Sequence, residues 1–495
     1  MGRPMKDILS VLSSQQPLTK ANFTLLRHEA CESKPAHLNL HSKEIAVRYD
    51  GDQVAVLKTA LQQRFPRTWQ RFPIAPVNWL KFFAQQDSGV YVQPTDRELD
   101  GLEEPDPRAE AFERAVEDLQ LDGVMAEVEQ RTLAGVHSVA VLLGWQQVAA
   151  DGQTTLPFAQ VYWPHQIEVV ADEDAPGQQE ALVCVMLQQG AGEDATWWVW
   201  KRERLALGQY GPWVHCRYSE SEEGSTAWET YLGKRLPIVF FRVGQTIGFF
   251  PKANGDVVAQ VDSLNVSKSN ETYVVELQAH AQPVYKGNQL EAAQIAVGPD
   301  EAVKIGPEED LSYLTAGADF TAMRESRNLA LKEVAISRRA SADSYSPSSQ
   351  APQSGVSRQI ANIPHDQQVE RLKPLFKQFE ERHLLPLLCE IIEVFGDANV
   401  NMAGVKPVIE YGVTSYESET EKLDKKAKQQ AIVKEQLDAG LITKARAAIE
   451  LDLYPTIDDA VAAGLSNSLG TPASGGSILD LIAQAPAAVP QEGNQ

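Results

Sequence analysis

Fifteen residues in the second half of the chain, Ser341 to Gly355, read SADSYSPSSQAPQSG. They carry one charge, Asp343, and no aliphatic side chain larger than alanine, so they offer little to bury in a core. Both flanks have a helical pattern. ADFTAMRESRNLALKEVAISRRA precedes the stretch and SRQIANIPHDQQVERLKPLFKQFEERHLLPLLCEIIEVF follows it. Helix connections in compact domains usually run about 2 to 8 residues. A connection this long and polar is usually either disordered or functional.

The arms follow a body of different character. TLLRHEA, DQVAVLKTALQQ and the acidic PRAEAFERAVEDLQLDGVMAEVEQRTLAGV have apolar residues at helical spacing, and Pro107 suits a first-turn position. Trp79, Phe82 and Phe83 give VNWLKFFAQQDSGVYVQP a bulky apolar face. From His137 the period changes. HSVAVLLGW, PFAQVYWP, IEVV, EALVCVMLQQ, ATWWVWKRE, WVHCRYSE and PIVFF are short, rich in β-branched and aromatic residues, and bounded by Gly, Pro and Asp. They predict strands of a largely antiparallel sheet.

A long helix is predicted from Asp256, a candidate N-cap, to Pro283. Val257, Val261 and Leu264 share one face of it, and its middle, NVSKSN, is polar. VYKG, QIAVGPDEAVKIGP and LSYLT then predict a small sheet of two or three strands. The second arm starts at Asp319. Beyond the polar loop, Val369, Leu372, Phe376, Phe379 and Leu387 form a helical stripe in which Pro374 and Pro386 predict kinks. A strand-like KPVIEYGVT, two charged helices around Gly440 and a small polar tail with an apolar island, ILDLIAQA, complete the pattern. The fold class is α+β.

At 495 residues the length corresponds to roughly three domains. Hydrophobic and charged contents of 43% and 23% suit a globular chain with a sizeable core. The formal net charge of −22 argues against non-specific attraction to phosphate or to an anionic membrane. The acidity is uneven. Asp96 to Glu129 holds thirteen acids and three arginines, whereas Asp319 to His383, around the polar loop, holds eight acids and ten bases. Cys31, Cys184, Cys216 and Cys389 are scattered, with no CxxC or Cys/His cluster, which indicates neither a zinc site nor a disulfide framework. MGRPMKDILSVLSS has no long apolar run and does not read as a signal peptide. LLPLLCEIIEVF is too short to span a bilayer and holds two glutamates.

No phosphate-binding loop, dinucleotide fingerprint, nucleophile elbow or HExxH pattern occurs, and no cofactor is indicated. ADEDAPGQQE resembles the start of a calcium loop at Asp172, Asp174 and Gly177, but Pro176 replaces one ligand and Val183 stands where a bidentate glutamate belongs. DANVNMAG fails likewise, with Met402 at the turn glycine. Both read as turns. His365 and His383 read as surface or packing residues, and Trp197, Trp198 and Trp200 as strand packing. Arg324, Arg327, Lys332, Arg338, Arg339 and Arg358 read either as partners of nearby acids such as Glu325 and Glu333 or as sparse phosphate contacts.

The order of these parts resembles the portal proteins of tailed bacteriophages, the head-to-tail connectors. RYDGDQVAVLKTAL with VNWLKFFAQQDSGVYVQP, RLPIVFFRVG ahead of the first arm, IAVGPDEAVKIGPEEDLSYLTAGAD, and VIEYGVTSYESETEKLDKKAKQQAIVKEQLDAGLITKARAAIELDL carry the resemblance. It implies a structural, non-enzymatic subunit of a ring, commonly of twelve copies, at one capsid vertex of a virion assembled in the host cytoplasm. Double-stranded DNA would pass through the ring non-specifically in packaging and ejection. Implied partners are terminase, a head–tail adaptor, the major capsid protein and scaffold, with no membrane and no cofactor.

The implied layout is an α+β wing over 1–254, a first stem helix over 255–283 and a clip over 284–318. A second stem helix over 319–340, a tunnel loop over 341–357 and a long kinked wing helix over 358–404 follow. A helical crown over 405–465 and a flexible C-terminal tail over 466–495 end it. The resemblance puts Ser341, Asp343, Ser344, Tyr345, Ser346, Ser348, Ser349, Gln350, Gln353, Ser354 and Gly355 in the channel. Hydroxyl and amide groups of near-neutral charge would touch a moving duplex without gripping it, because each neutralised phosphate adds affinity through counterion release. Arg338, Arg339 and Arg358 flank the loop as candidate phosphate contacts. Lys286, Asn288, Gln289 and Glu291 are candidate clip contacts for adaptor and terminase. In a ring, NVSKSN is expected to face a neighbouring subunit. The alternatives are an acidic carboxylate-dependent hydrolase on the α+β body and another head–tail connector.

Overall fold

The computed structural model describes residues 11–33, 36–102, 106–147, 155–190, 194–206, 208–243, 249–279, 282–286, 310–314, 320–338, 355–396 and 400–412, with isolated positions between 433 and 447. The chain divides into two compact units, Met1–Thr414 and Ser415–Gln495, where length alone suggested three. In the second unit, the Thr443 carbonyl accepts the Ala447 N–H (2.8 Å) and Thr443 Oγ1 accepts the Arg446 N–H (3.2 Å).

The first unit begins with helices α1 (Lys20–Ser33), α2 (Ala36–Asp50), α3 (Gln53–Arg64) and α4 (Trp79–Asp87). Asn78 caps α4 by accepting the Lys81 N–H at 3.0 Å. Strand β1 (Thr95–Asp100) leads to α5 (Pro107–Asp118) and α6 (Leu121–Arg131). Asp106 caps α5, accepting the Arg108 N–H at 2.8 Å, and Pro107 takes the first-turn place its fixed φ suits. The acidic stretch is thus two helices, parted at Gln120, which adopts a left-handed φ of 47°.

The strand-like segments form two antiparallel sheets rather than one. In the first, β4 (Ile167–Ala171), β5 (Leu182–Gln189), β6 (Thr196–Lys201) and β9 (Val214–Ser219) pair in that order, edged by β10 (Gly224–Ser225) and β11 (Glu229–Thr230). In the second, β2 (Ser138–Gln147) lies between β3 (Thr155–Tyr162) and β12 (Ile238–Arg242). A two-residue-apart pair, β7 (Arg204–Ala206) and β8 (Gln209–Tyr210), forms a separate hairpin. β5 is buried on both faces. Its Cys184 and Met186 pack with Phe23 and Leu26 of α1, while Val185 and Leu187 join the main core, as the period of two requires.

The long helix α7 spans Asp256–Ala279. Asp256 is its first residue rather than its cap, since Asn254 Oδ1 accepts the Asp256 N–H at 3.1 Å. β13 (Gln282–Lys286) and β14 (Asp310–Leu314) pair antiparallel, Gln282 opposite Leu314 and Lys286 opposite Asp310. The return arm α8 runs Phe320–Ser337. Val257, Val261 and Leu264 of α7 and Leu331, Val334 and Ala335 of α8 enter the main core.

After the polar stretch, α9 (Gly355–Phe379) passes unbroken through Pro374. The irregularity falls at a π turn, Glu380–Leu384, directly before α10 (Leu385–Phe395) with Pro386 in its first turn. Pro386 has no N–H for the Arg382 carbonyl and its ring crowds that turn. The Arg235 Nη1 supplies a donor to the same carbonyl, at 3.4 Å. Finally β15 (Lys406–Tyr411) pairs with β1, so KPVIEY belongs to the first unit and not to a separate C-terminal part.

Candidate functional site

Most of the residues singled out in the sequence lie outside the described ones: Ser341–Ser354, Arg339, Asn288, Gln289 and Glu291. Gly355 opens α9 and Arg358 follows in it, while Lys286 ends β13; the side chains of these three are not described. Arg338 is described, and its position redirects attention to what holds the polar stretch.

Arg338 points into the body. Its Nε donates to Asp87 Oδ2 at 2.6 Å and its Nη2 to the Leu133 carbonyl at 2.8 Å. The guanidinium carbon lies 5.7 Å from the Phe83 ring centroid. Side-chain exposure is 9% for Arg338 and 2% for Asp87. Arg338, expected as a phosphate contact, is instead paired with a carboxylate and buried within the subunit.

Two residues beyond Asp87 the same segment grips the next helix. A Cβ on Gly89 would stand 2.5 Å from Val369 Cγ2 and 3.0 Å from His365 Cε1, so α9 crosses here at a distance that only glycine permits. The buried Glu129 of α6 fixes the segment from behind, accepting the Gly89 N–H at 2.9 Å and the Val90 N–H at 3.0 Å. Burial raises the Glu129 carboxyl above its ordinary range, against the pull of those N–H donors and of His365.

Tyr91 completes the bracket. Its ring meets Phe376 edge-on, 5.3 Å between centroids, and its hydroxyl donates to Glu380 Oε1 at 2.5 Å. Glu380, in the π turn, is fully buried and receives Arg97 Nε on its other oxygen at 2.7 Å. Arg97 Nη1 continues to Asp122 Oδ1 at 2.6 Å, while its Nη2 has no partner among the described residues. Burial pushes Glu380 up, although Arg97 and Tyr91 oppose it, and burial beside Glu380 pushes the Tyr91 phenol far up. One segment, Asp87–Tyr91, thus holds both the helix that enters the polar stretch and the helix that leaves it.

The arms are tied at their base as well. Arg48 of α2 makes a two-pronged pair with Asp262 of α7, at 2.9 and 2.6 Å. Asn265, first residue of NVSKSN, is buried, accepts the Val77 N–H at 2.9 Å and donates to Gln53 Oε1 at 2.9 Å. Ser269 is buried too. The expected outward role of NVSKSN is corrected for Asn265, whose amide is satisfied by Gln53 and the Val77 backbone inside the subunit; the Ser269 hydroxyl has no hydrogen-bond partner among the described residues. Arg324 (3.3 Å) and Arg327 of α8 both pair with Glu271 of α7, bracing arm against arm.

The acids of the calcium-loop-like stretch serve structure. Asp172 and Asp174 bind Arg204, and Asp172 also accepts from the Tyr210 hydroxyl at 2.9 Å, which suits a turn rather than a calcium loop. Among the described residues no three His, Cys, Asp or Glu are placed to hold a metal ion, and Cys184, Cys216 and Cys389 are buried free thiols. No described helix is long and apolar enough to cross a membrane. Reading the sequence missed Asp87, Gly89, Glu129, Arg97 and Glu380 individually. The one available signal was the glycine placed between the polar and apolar halves of QQDSGVYV.

No protein-family model matches the chain, and no curated protein matches it. Solved structures do. A chain of the "Virion of native gene transfer agent (GTA) particle" is 12% identical and aligns over 82% of this chain and 94% of its own, with a TM-score of 0.41. A chain of the "Neck of empty GTA particle computed with C6 symmetry" is 10% identical over 82% and 95%, also at 0.41. The chain is similar, at low identity and along most of its length, to components of gene-transfer-agent particles.

Proposed function

We propose that this chain is a portal subunit: a structural protein whose copies close into a ring at one vertex of a capsid and conduct DNA. The observation that carries the reading is the clamping of α8 and α9 to the single segment Asp87–Tyr91. A body that fixes both helices carries residues 339–354 without asking them to pack, which is what a channel-facing loop requires. In this reading α7 and α8 are the stem, β13 and β14 belong to the clip, and α9 with α10 is the kinked wing helix. The crown is the stretch over 405–465, whose first strand, β15, pairs with β1.

One further feature supports assembly. Leu329 and Ile336, seven residues apart on α8, are 59% and 69% exposed, an apolar face that a neighbouring copy would cover. Arg339 and Arg358 remain the proposed phosphate contacts, and Lys286, Asn288, Gln289 and Glu291 the proposed contacts for adaptor and terminase. A head-to-tail contact that closes gives a cyclic oligomer without further instruction. The hydrolase alternative finds no support in the buried carboxylates Asp87, Glu129 and Glu380, each committed to a structural partner.

The test is electron microscopy of the purified full chain in negative stain, alone and co-expressed with capsid protein. Rings with a channel wide enough for duplex DNA are expected. Compact monomers under both conditions, or capsids that fill with DNA in its absence, would overturn the reading.

A further inference from the structure

One cleft departs from the acidic character of the whole. A cavity of about 350 Å³ opens between the β12 approach, the π turn and the end of β6, and its wall carries Arg202, Lys234, Arg235 and Arg382 against one acid, Glu180. Its floor is apolar, with Trp213 and Leu387. Arg202 is a fixed part of the wall. It donates to the Leu182 carbonyl at 2.7 Å and lies over the Tyr210 and Trp213 rings, 4.0 and 4.6 Å from their centroids. Lys234 and Arg382 are different. Both side chains are exposed, and neither has a hydrogen-bond or ion-pair partner among the described residues. The third cation, Arg235, is already paired with Glu390 at 3.8 Å, which leaves Lys234 and Arg382 as two unspent cations on a concave surface, a receptor for carboxylates.

The shape argues against duplex DNA. A cavity this size admits a few side chains, whereas a phosphate backbone presents a convex rail. The net charge argues for a protein partner of a particular kind. Copies of a chain at −22 repel one another, so contact between them requires local patches of opposite sign. The complement lies on α5. Glu110, Glu113 and Glu117 recur at i, i+3 and i+7, exposed, on a face turned from the buried Phe112, Ala115 and Leu119. None of the three carboxylates has an ion-pair partner among the described residues.

We infer that the cleft at Lys234 and Arg382 receives the α5 carboxylates of a second copy of this chain. The inference rests on the ring reading and deepens it by naming one subunit contact. Unlike patches meeting head to tail form a heterologous interface, the kind that can close a ring.

Charge reversal tests it. Full-length Lys234→Glu/Arg382→Glu and full-length Glu113→Lys/Glu117→Lys are purified separately, then mixed, and assembly is read by sedimentation velocity in low and high salt. All four positions are exposed, so thermal melts should match the parent and separate loss of contact from loss of fold. Each variant alone should lose the ring peak, because like charges then meet. The mixture should regain it, because each cleft now finds a stripe of opposite sign. Assembly of the parent should weaken as salt screens the contact. Rings from either variant alone, or a mixture that stays apart, would overturn the inference while leaving the ring reading intact. A parent that never assembles would overturn both.

Discussion

Arg338 Nε lies 2.6 Å from Asp87 Oδ2, a contact that spans 251 positions of sequence and joins the end of α8 to the end of α4. Breaking a buried pair by removing one partner strands the other charge and costs about 3–5 kcal/mol. Arg338→Ala should therefore lower the melting temperature. It should also raise amide exchange in the last turns of α8 more than in α7. Equal exchange in both arms would show that the pair does not hold the helix.

Gly89→Ala should destabilise by about 1–3 kcal/mol, the usual cost of overpacking. The added methyl meets Val369 Cγ2 at 2.5 Å. Val369→Ala, which alone opens a void, should recover part of that loss in the double variant, measured by denaturant unfolding. Simple additivity of the two changes would place the strain elsewhere.

The Arg97–Glu380 pair predicts an asymmetry. Arg97→Met leaves a fully buried carboxylate without its cation and should cost about 3–5 kcal/mol. Arg97→Met/Glu380→Leu removes both charges and should cost less than Arg97→Met alone. A double variant no more stable than the single one would mean that Tyr91 and Asp122 depend on the pair.

Lys201 predicts a pH signature. Its ammonium donates to the carbonyls of Val11 (2.9 Å) and Ser14 and sits 4.0 Å from the Trp228 ring, docking the N-terminal segment on the sheet. Burial pushes its pKa down from 10.5 to about 8, with Cys184 and Cys216 opposing, so the ammonium form still predominates at neutral pH. Between those values the unfolded chain binds the proton more tightly than the folded one. The stability contribution is thus full above pH 10.5 and is lost as pH falls through about 8. Thermal melts of the parent minus those of Lys201→Met should rise from pH 8 to 10.5. A flat difference would show that burial does not depress the Lys201 ammonium in the folded chain.

Deleting Ser344–Gln353 should leave the melting temperature and ring assembly unchanged, because the clamped helices do not depend on those residues, and should impair DNA packaging. Loss of rings on deletion would mean that the stretch belongs to the fold.

How much of this was legible depended on whether a signal was local. The strands from His137 to Arg242 declared themselves through β-branched and aromatic runs, yet their division into two sheets is a matter of long-range pairing that no run encodes. β1 was invisible because TDRELD is almost all polar; only the buried Arg97 and Leu99 face inward, and Arg97 is there for Glu380 across 283 positions. NVSKSN misled for the same reason: its polarity was plain, but Gln53 and Val77, which satisfy Asn265, are remote in sequence. Pro386 announced a disturbance correctly, whereas Pro374 did not, because the main core holds Leu372 and Phe376 on either side of it.

The bracket at Asp87–Tyr91 has an evolutionary consequence. When two ends of a segment are already anchored, lengthening it adds only closure entropy, about 0.6 kcal/mol for each doubling. On the portal reading, residues 339–354 would then be an exchangeable cassette. Their length and chemistry can drift with whatever they touch, while selection on the fold falls on a glycine, an aspartate and the partners that hold them.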